Sequence, residues 1–185
     1  MPDVTNLAMG PGTLYTAPFG GTEPADTAVG SVPTAPWVDA GGTLGGMRAL
    51  FTNTYTALRI DQTPMDVGSR LTNMEFLLNT TLAEVTLENL AAALNNSAGV
   101  QVGSGFKSWE PVSDNSATQP TYKAILFDGW GPNQFRRRII SRRVLSIAAI
   151  ELPYTADGQA VYAVSFKAHW VSASVKPYKL VDQTA

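Results

Sequence analysis

The stretch Ala160-Val161-Tyr162-Ala163-Val164-Ser165-Phe166-Lys167-Ala168-His169-Trp170 decides the fold class. Ala160, Tyr162, Val164, Phe166, Ala168 and Trp170 share one face. Ser165, Lys167 and His169 alternate onto the other, with Val161 and Ala163 among them. A period of two with one apolar face is the pattern of a strand in an antiparallel sheet. This reading puts Trp170 in the core and leaves His169 half exposed. Asp157-Gly158 just upstream is a two-residue hairpin signal leading into the strand.

Similar strand patterns recur outward from there. Residues 122–127 form an apolar run that ends at Asp128-Gly129-Trp130-Gly131-Pro132-Asn133, a dense turn signal, and residues 135–152 follow as the next strand. Residues 47–51 and 55–61 are rich in Thr, Leu, Ile and aromatics, so Thr52-Asn53-Thr54 between them predicts a hairpin turn. Residues 68–78 carry apolar side chains on both faces, which predicts burial on both. One segment reads as helix, about residues 81–95. Thr81-Leu82-Ala83-Glu84 has the form of a capping box, Leu82, Val85, Leu90 and Leu94 recur at helical spacing, and Asn95-Asn96 followed by Gly99 ends the run. The expected fold is therefore mainly β, an antiparallel sandwich or barrel-like domain with one flanking helix and long loops. No internal repeat of about 20–50 residues is visible.

Glycine and proline concentrate at the start of the chain. Residues 1–46 hold nine of sixteen Gly and six of twelve Pro. Within them a strand is expected around Thr13-Leu14-Tyr15-Thr16, then a loop over residues 20–36 long enough to be functional, and a segment that docks on a neighbouring subunit fits it. At 185 residues the chain is expected to be a single domain, 1–185. Charged residues make up 15% against a typical ~25%, and nineteen Thr with many Gly, Asn, Gln and Ser leave a neutral polar surface. A free monomer usually carries more charge, so the deficit points to a surface that meets other protein.

The same composition excludes much chemistry. With no cysteine there is no disulfide scaffold, thiol nucleophile or cysteine-bound metal. One histidine, His169, leaves no base for a Ser-His-Asp triad beyond itself, and no Gly-x-Ser-x-Gly elbow occurs. Gly41-Gly42-Thr43-Leu44-Gly45-Gly46 lacks the Gly-Lys-Ser/Thr ending of a phosphate loop and reads as a tight turn of close backbone packing. Glu84 and Glu88 share a helix face in this reading, as solvated carboxylates often do. No enzyme, cofactor or metal site is expected. Met1-Pro2-Asp3-Val4-Thr5 has no basic and apolar leader pattern, and no run approaches ~18 apolar residues, so neither a signal peptide nor a membrane span is expected.

Near-neutrality hides an uneven distribution of charge. Residues 1–106 carry nine acids and three bases, while residues 107–185 carry six acids and ten bases. Five of the bases are Arg136, Arg137, Arg138, Arg142 and Arg143, with no acid between Asp128 and Glu151. On a strand Arg136, Arg138 and Arg142 point one way and Arg137 and Arg143 the other, so neither face is expected to be dry. Three readings stand side by side: a solvated face, ion pairs with the acidic half of a neighbouring copy, and phosphate binding. The last is disfavoured because no aromatic platform interleaves the arginines and the chain is net acidic at −2.

Trp37-Val38-Asp39-Ala40-Gly41-Gly42-Thr43-Leu44-Gly45-Gly46, a strand to Tyr55, Arg59-Ile60-Asp61-Gln62, and then Leu82-Ala83-Glu84-Val85-Thr86-Leu87-Glu88-Asn89-Leu90 occur in that order. The chain resembles, over most of its length, the major tail tube proteins of long-tailed, non-contractile bacteriophages. The resemblance implies a β-sandwich subunit with a flanking helix, six copies closing into a ring, and rings stacking into a tube around double-stranded DNA. It implies tape-measure, tail terminator and baseplate or tip proteins as partners, a place in the virion tail, and assembly in the host cytoplasm. A conduit must pass DNA without holding it, so the arginine cluster, residues 136–143, is expected away from the lumen, at a subunit interface. The alternative is a β-sandwich binding module, a capsid decoration or carbohydrate-binding domain, with Trp37, Trp109, Trp130 or Trp170 stacking on sugars.

Overall fold

The structure, a computed structural model, describes residues 6–8, 10–113 and 117–184; the leader reading at residues 1–5 lies outside them. The described chain is mainly antiparallel β with one α-helix. In chain order the elements are β1 (Thr13–Pro18), β2 (Val38–Asp39), β3 (Thr43–Leu58), β4 (Gly68–Leu82), α1 (Leu87–Ala93), β5 (Gln101–Gly103), β6 (Phe106–Ser108), β7 (Lys123–Trp130), β8 (Arg136–Ser146), β9 (Tyr162–Ala168) and β10 (Tyr178–Asp182). Strands β5 and β6 form a separate small hairpin. The others follow the order β2-β1-β7-β8-β9-β4-β3, with β10 also paired to β8.

The sheet curls into two facing layers at β8. Along one side β8 pairs with β7; along the other, residues 137–141 pair with β10 and residues 144–146 with β9. Leu14 of β1, Ile125 of β7 and Ile139 and Val144 of β8 then meet Phe76, Leu78 and Leu82 of β4 and Tyr162, Val164 and Phe166 of β9 in one core. Strands β1 and β4 are not neighbours in the ladder, so their side chains share a core only because the sheet folds over.

Alternation carries the fold further than one face. Tyr15 and Ala17 of β1, Ala124 and Leu126 of β7 and Ile140 of β8 point away from the main core and form a second cluster with Trp37. The β1-β7-β8 layer is thus buried on both faces, the outer one beneath residues 20–37. The sequence assigned two-sided burial to residues 68–78 instead. There only Phe76 and Leu78 are buried, because residues 68–74 extend past every strand except β3.

Several boundaries move from their expected places, each for a physical reason. Residues 43–58 are one strand, and Thr52-Asn53-Thr54 is not a turn, since β-branched Thr favours the pleated ladder and no glycine is present to reverse it. The reversal falls at residues 59–67, where the Val67 amide donates to the Leu58 carbonyl at 2.9 Å and Arg59 pairs with Asp66 at 2.6 Å. The expected capping box fails because Thr81 and Leu82 are held in the ladder, opposite Leu44 and Thr43 on one side and Ala163 and Tyr162 on the other. The cap is Thr86, whose Oγ1 accepts the Asn89 amide at 3.1 Å, and the helix is shorter than the expected 81–95. Val85 and Leu94 are exposed, while Asn89 and Ala91–Ala93 are buried. Asn95 ends the helix as expected, in the left-handed region at φ 54°, with its side-chain amide bonded to Ser146. Strand β7 runs through Asp128-Gly129 to Trp130, β8 stops at Ser146, and residues 147–161 form a long connection, so Asp157-Gly158 does not turn a tight hairpin.

The glycine run at 41–46 is a bulge at the start of β3. Gly45 and Gly46 take φ of +76° and +74°, and the pairing with β4 shifts between Leu44 and Met47. Gly41 lies so close to Glu84 that a Cβ there would sit 2.2 Å from its carboxyl carbon. Glu84 therefore precedes the helix and accepts the Gly42 amide at 2.9 Å, and it does not share a helix face with Glu88.

Candidate functional site

Three of the five clustered arginines, Arg137, Arg138 and Arg142, pair with carboxylates of their own chain. Arg138 is 1% exposed, and its guanidinium meets the Asp128 carboxylate through two bonds of 2.7 Å. The two residues lie opposite each other in the β7-β8 ladder. The expectation that neither face is dry is thereby corrected: a charge enters the interior when its counter-charge stands across the strand. Sequence did hold a signal, since Asp128 and Arg138 are equidistant from Asn133 in the intervening turn. Arg138 Nη2 also donates to the carbonyls of Ala28 and Ser31 at 3.0 Å, tying residues 20–36 to the sheet.

Its neighbours continue the clamp. Arg142 pairs with Glu23 and donates to the Lys176 carbonyl at 2.7 Å. Lys179 holds Asp26 at 2.5 Å, and Arg136 lies against Gly30 with its guanidinium 4.6 Å from the Trp130 ring centroid. Arg137 is bidentate to Asp182, and that hydrogen bonding holds the Asp182 carboxyl below its usual range and raises the guanidinium. Arg143 stacks over Tyr122 at 3.9 Å and donates to the Trp170 carbonyl at 3.1 Å. The acidic partners are thus this chain's own Glu23, Asp26, Asp128 and Asp182. The loop expected to dock on a neighbour covers the outer face of its own sheet, with Trp37 Nε1 bonded to the Thr22 carbonyl at 2.8 Å.

The other candidates separate in space. Glu88 pairs with Lys107 at 2.6 Å, which holds its carboxyl low. His169 rests edge-on against Tyr122, and burial, with Arg143 and Lys167 nearby, pushes its pKa down, so the ring is neutral at pH 7. Among the described residues no three His, Asp or Glu side chains converge as a metal site would need. No helix among them is long and apolar enough to cross a membrane. Trp37 is buried and Trp109 is half-buried, but Trp170 is 68% exposed, contrary to its expected place in the core. Strand β9 ends at Ala168, and the sequence alternation simply continues beyond the ladder that gave it meaning.

The surface that sequence reasoning missed is the outer half of the β3-β4 pair. From Phe51 through Met74 no residue is buried, and β4 joins β9 only over residues 77–82. The remainder is a two-stranded ribbon with Tyr55, Leu58, Ile60, Met65, Val67 and Leu71 exposed. Strand β3, sixteen residues long, is also the end of the strand order, so among the described residues no strand pairs with its outer edge. At the root of the ribbon Phe51, Phe76 and Tyr178 stack together, with Phe76 and Tyr178 ring centroids 4.4 Å apart. They form one wall of a groove of about 580 Å³ that Met74, His169, Trp170 and Lys176 complete.

No family model matches the chain, and no curated protein sequence does.

The ribbon thus joins a run of exposed apolar side chains to a strand edge that no described strand pairs.

Proposed function

We propose that the chain is a structural subunit that self-assembles, copies joining head to tail into hexameric rings that stack as the tail tube of a long-tailed phage. The observation that carries this reading is the open β3 edge. Soluble proteins blunt such edges with Lys, Pro, inward charges, bulges or short strands. The bulge of β3 lies at its start, and residues 47–58 beyond it carry a single charge, Arg48, and no proline. A two-stranded ribbon is marginal by itself in water, so its order calls for a partner surface. Closing a ring pairs or covers edges that would otherwise aggregate, and a heterologous contact is the kind that closes rings or extends stacks.

The charge arrangement suits a conduit for DNA. Every phosphate contact adds affinity through counterion release, so a channel must avoid free cationic surface. Here Arg137, Arg138 and Arg142 are neutralised by acids of the same chain, and Arg136 and Arg143 lie over aromatic rings, which reduces the free cationic surface offered to a passing duplex. The resemblance supplies the remaining partners: tape-measure, terminator and baseplate or tip proteins, in a virion tail assembled in the host cytoplasm.

A second reading is favoured by one observation. Trp170, exposed beside Tyr178 and Phe51, is the kind of aromatic platform on which a β-sandwich binding module stacks a sugar. Sedimentation velocity over a dilution series separates the two. The assembly reading expects the 19.7 kDa chain to give a discrete larger species that grows with concentration. A single monomeric species at every concentration would contradict it and favour the binding module.

A further inference from the structure

We propose that the tip of the β3-β4 ribbon of one copy seats in the aromatic groove at the ribbon root of the next. This deepens the assembly reading and rests on it. The tip is the turn at residues 59–67. It exposes Ile60, Met65 and Val67, with Met65 76% exposed, and none of the described elements covers them. The Arg59–Asp66 pair and the bond from Val67 to Leu58 hold the turn in shape, so little ordering is left for binding to impose.

The groove matches that tip in size and chemistry. At about 580 Å³ it lies within the roughly 300–1,000 Å³ of ordinary binding clefts. Its walls are Phe51, Phe76, Tyr178, Met74 and Pro177, and Trp170 stands at its side. Exposed tryptophan is the residue type most often found as an anchor at the centre of protein interfaces. Charge agrees as well. Arg59 is taken by Asp66, so Asp61 at the tip has no ion pair; Glu75 is taken by Lys167, so Lys176 at the groove has none among the described residues. One unpaired acid meets one unpaired base.

The occupant must be a second copy. Phe51 at the groove and Leu58 at the tip are seven residues apart on one continuous strand, roughly 23 Å at ~3.3 Å per residue. A tip carried on that strand never reaches its own groove. Tip and groove are different patches, so the joint is head to tail and can repeat from copy to copy. A sugar is the poorer occupant, because the groove walls are mainly apolar and Glu75 is already committed to Lys167.

Two variants test the joint, each at an exposed position: Met65→Asp at the tip and Trp170→Glu at the groove. Each alone should raise the concentration for half-assembly by about 30-fold or more, the scale of losing an interface anchor. Each keeps one intact half of the joint. An equal mixture should therefore restore a single joint, giving a species twice the size of either variant alone that grows no further. Circular dichroism spectra matching the parent would confirm that both fold. If the parent assembles and the variants assemble equally well, or if mixing produces no new species, the tip-to-groove joint is wrong while self-assembly stands. If the parent stays monomeric at every concentration, both fall. Quenching of Trp170 fluorescence by oligosaccharides in that monomeric parent would assign the groove to sugar.

Discussion

A chain in which Thr54 is joined to Asn73 through an Asn-Gly turn, omitting the outer ribbon, is expected to fold like its parent and to lose assembly altogether. Thr54 and Asn73 are already partners in the ladder, and Asn-Gly supplies the backbone conformations of a tight hairpin. None of the omitted residues is buried, and both core clusters lie outside the segment. Removing it therefore costs no core contact. What it removes is the apolar arm and the outer part of the β3 edge. Thermal unfolding would be compared at a concentration where the parent is monomeric, and sedimentation at one where it assembles: an unchanged melting temperature in the first and only monomer of the variant in the second are the expected results. Assembly equal to that of the parent would remove the ribbon from the interface.

Substituting Arg138 by leucine is expected to have the largest effect on stability, a loss of about 3–5 kcal/mol. The change leaves Asp128, 2% exposed, as an uncompensated buried charge, and removes the Nη2 group that the Ala28 and Ser31 carbonyls share. Replacing both partners, Arg138→Leu with Asp128→Leu, should recover much of that loss, since a buried pair is often no better than apolar packing of similar volume. The double variant would still loosen the loop around residues 28–31, because the Ala28 and Ser31 carbonyls lose the Arg138 donor, and protease would cut there sooner than in the parent. Urea unfolding reads the first effect and limited proteolysis the second. A single variant within about 1 kcal/mol of the parent would mean that the clamp is not what holds the loop.

These particulars show which parts of the fold were legible. Strand β9 was readable because it keeps one buried face while in the ladder, so alternation survives in the sequence, and β7 because a layer buried on both faces leaves an apolar run. The helix was misplaced because Thr81 with Glu84 and Thr86 with Asn89 both offer a cap, and only the pairing of Thr81 to β3 and β9 decides between them. The ribbon escaped because its pattern, Thr alternating with apolar residues that remain exposed, carries no sign of which face is covered. The arginines read as exposed because Asp128, ten residues away, meets Arg138 only once the hairpin register is known. Trp170 shows the converse error: a pattern extended past the end of its strand. The low charge content was the sequence feature that pointed toward a surface meeting other protein, and the proposal assigns that surface to the β3-β4 ribbon.

Negative-stain microscopy of the purified parent chain, with particles averaged by class, tests the central claim most directly. The account expects rings with sixfold symmetry and a central hole, stacking at higher concentration into hollow tubes. Fields without rings or tubes, from samples that sediment only as the 19.7 kDa chain, would contradict it.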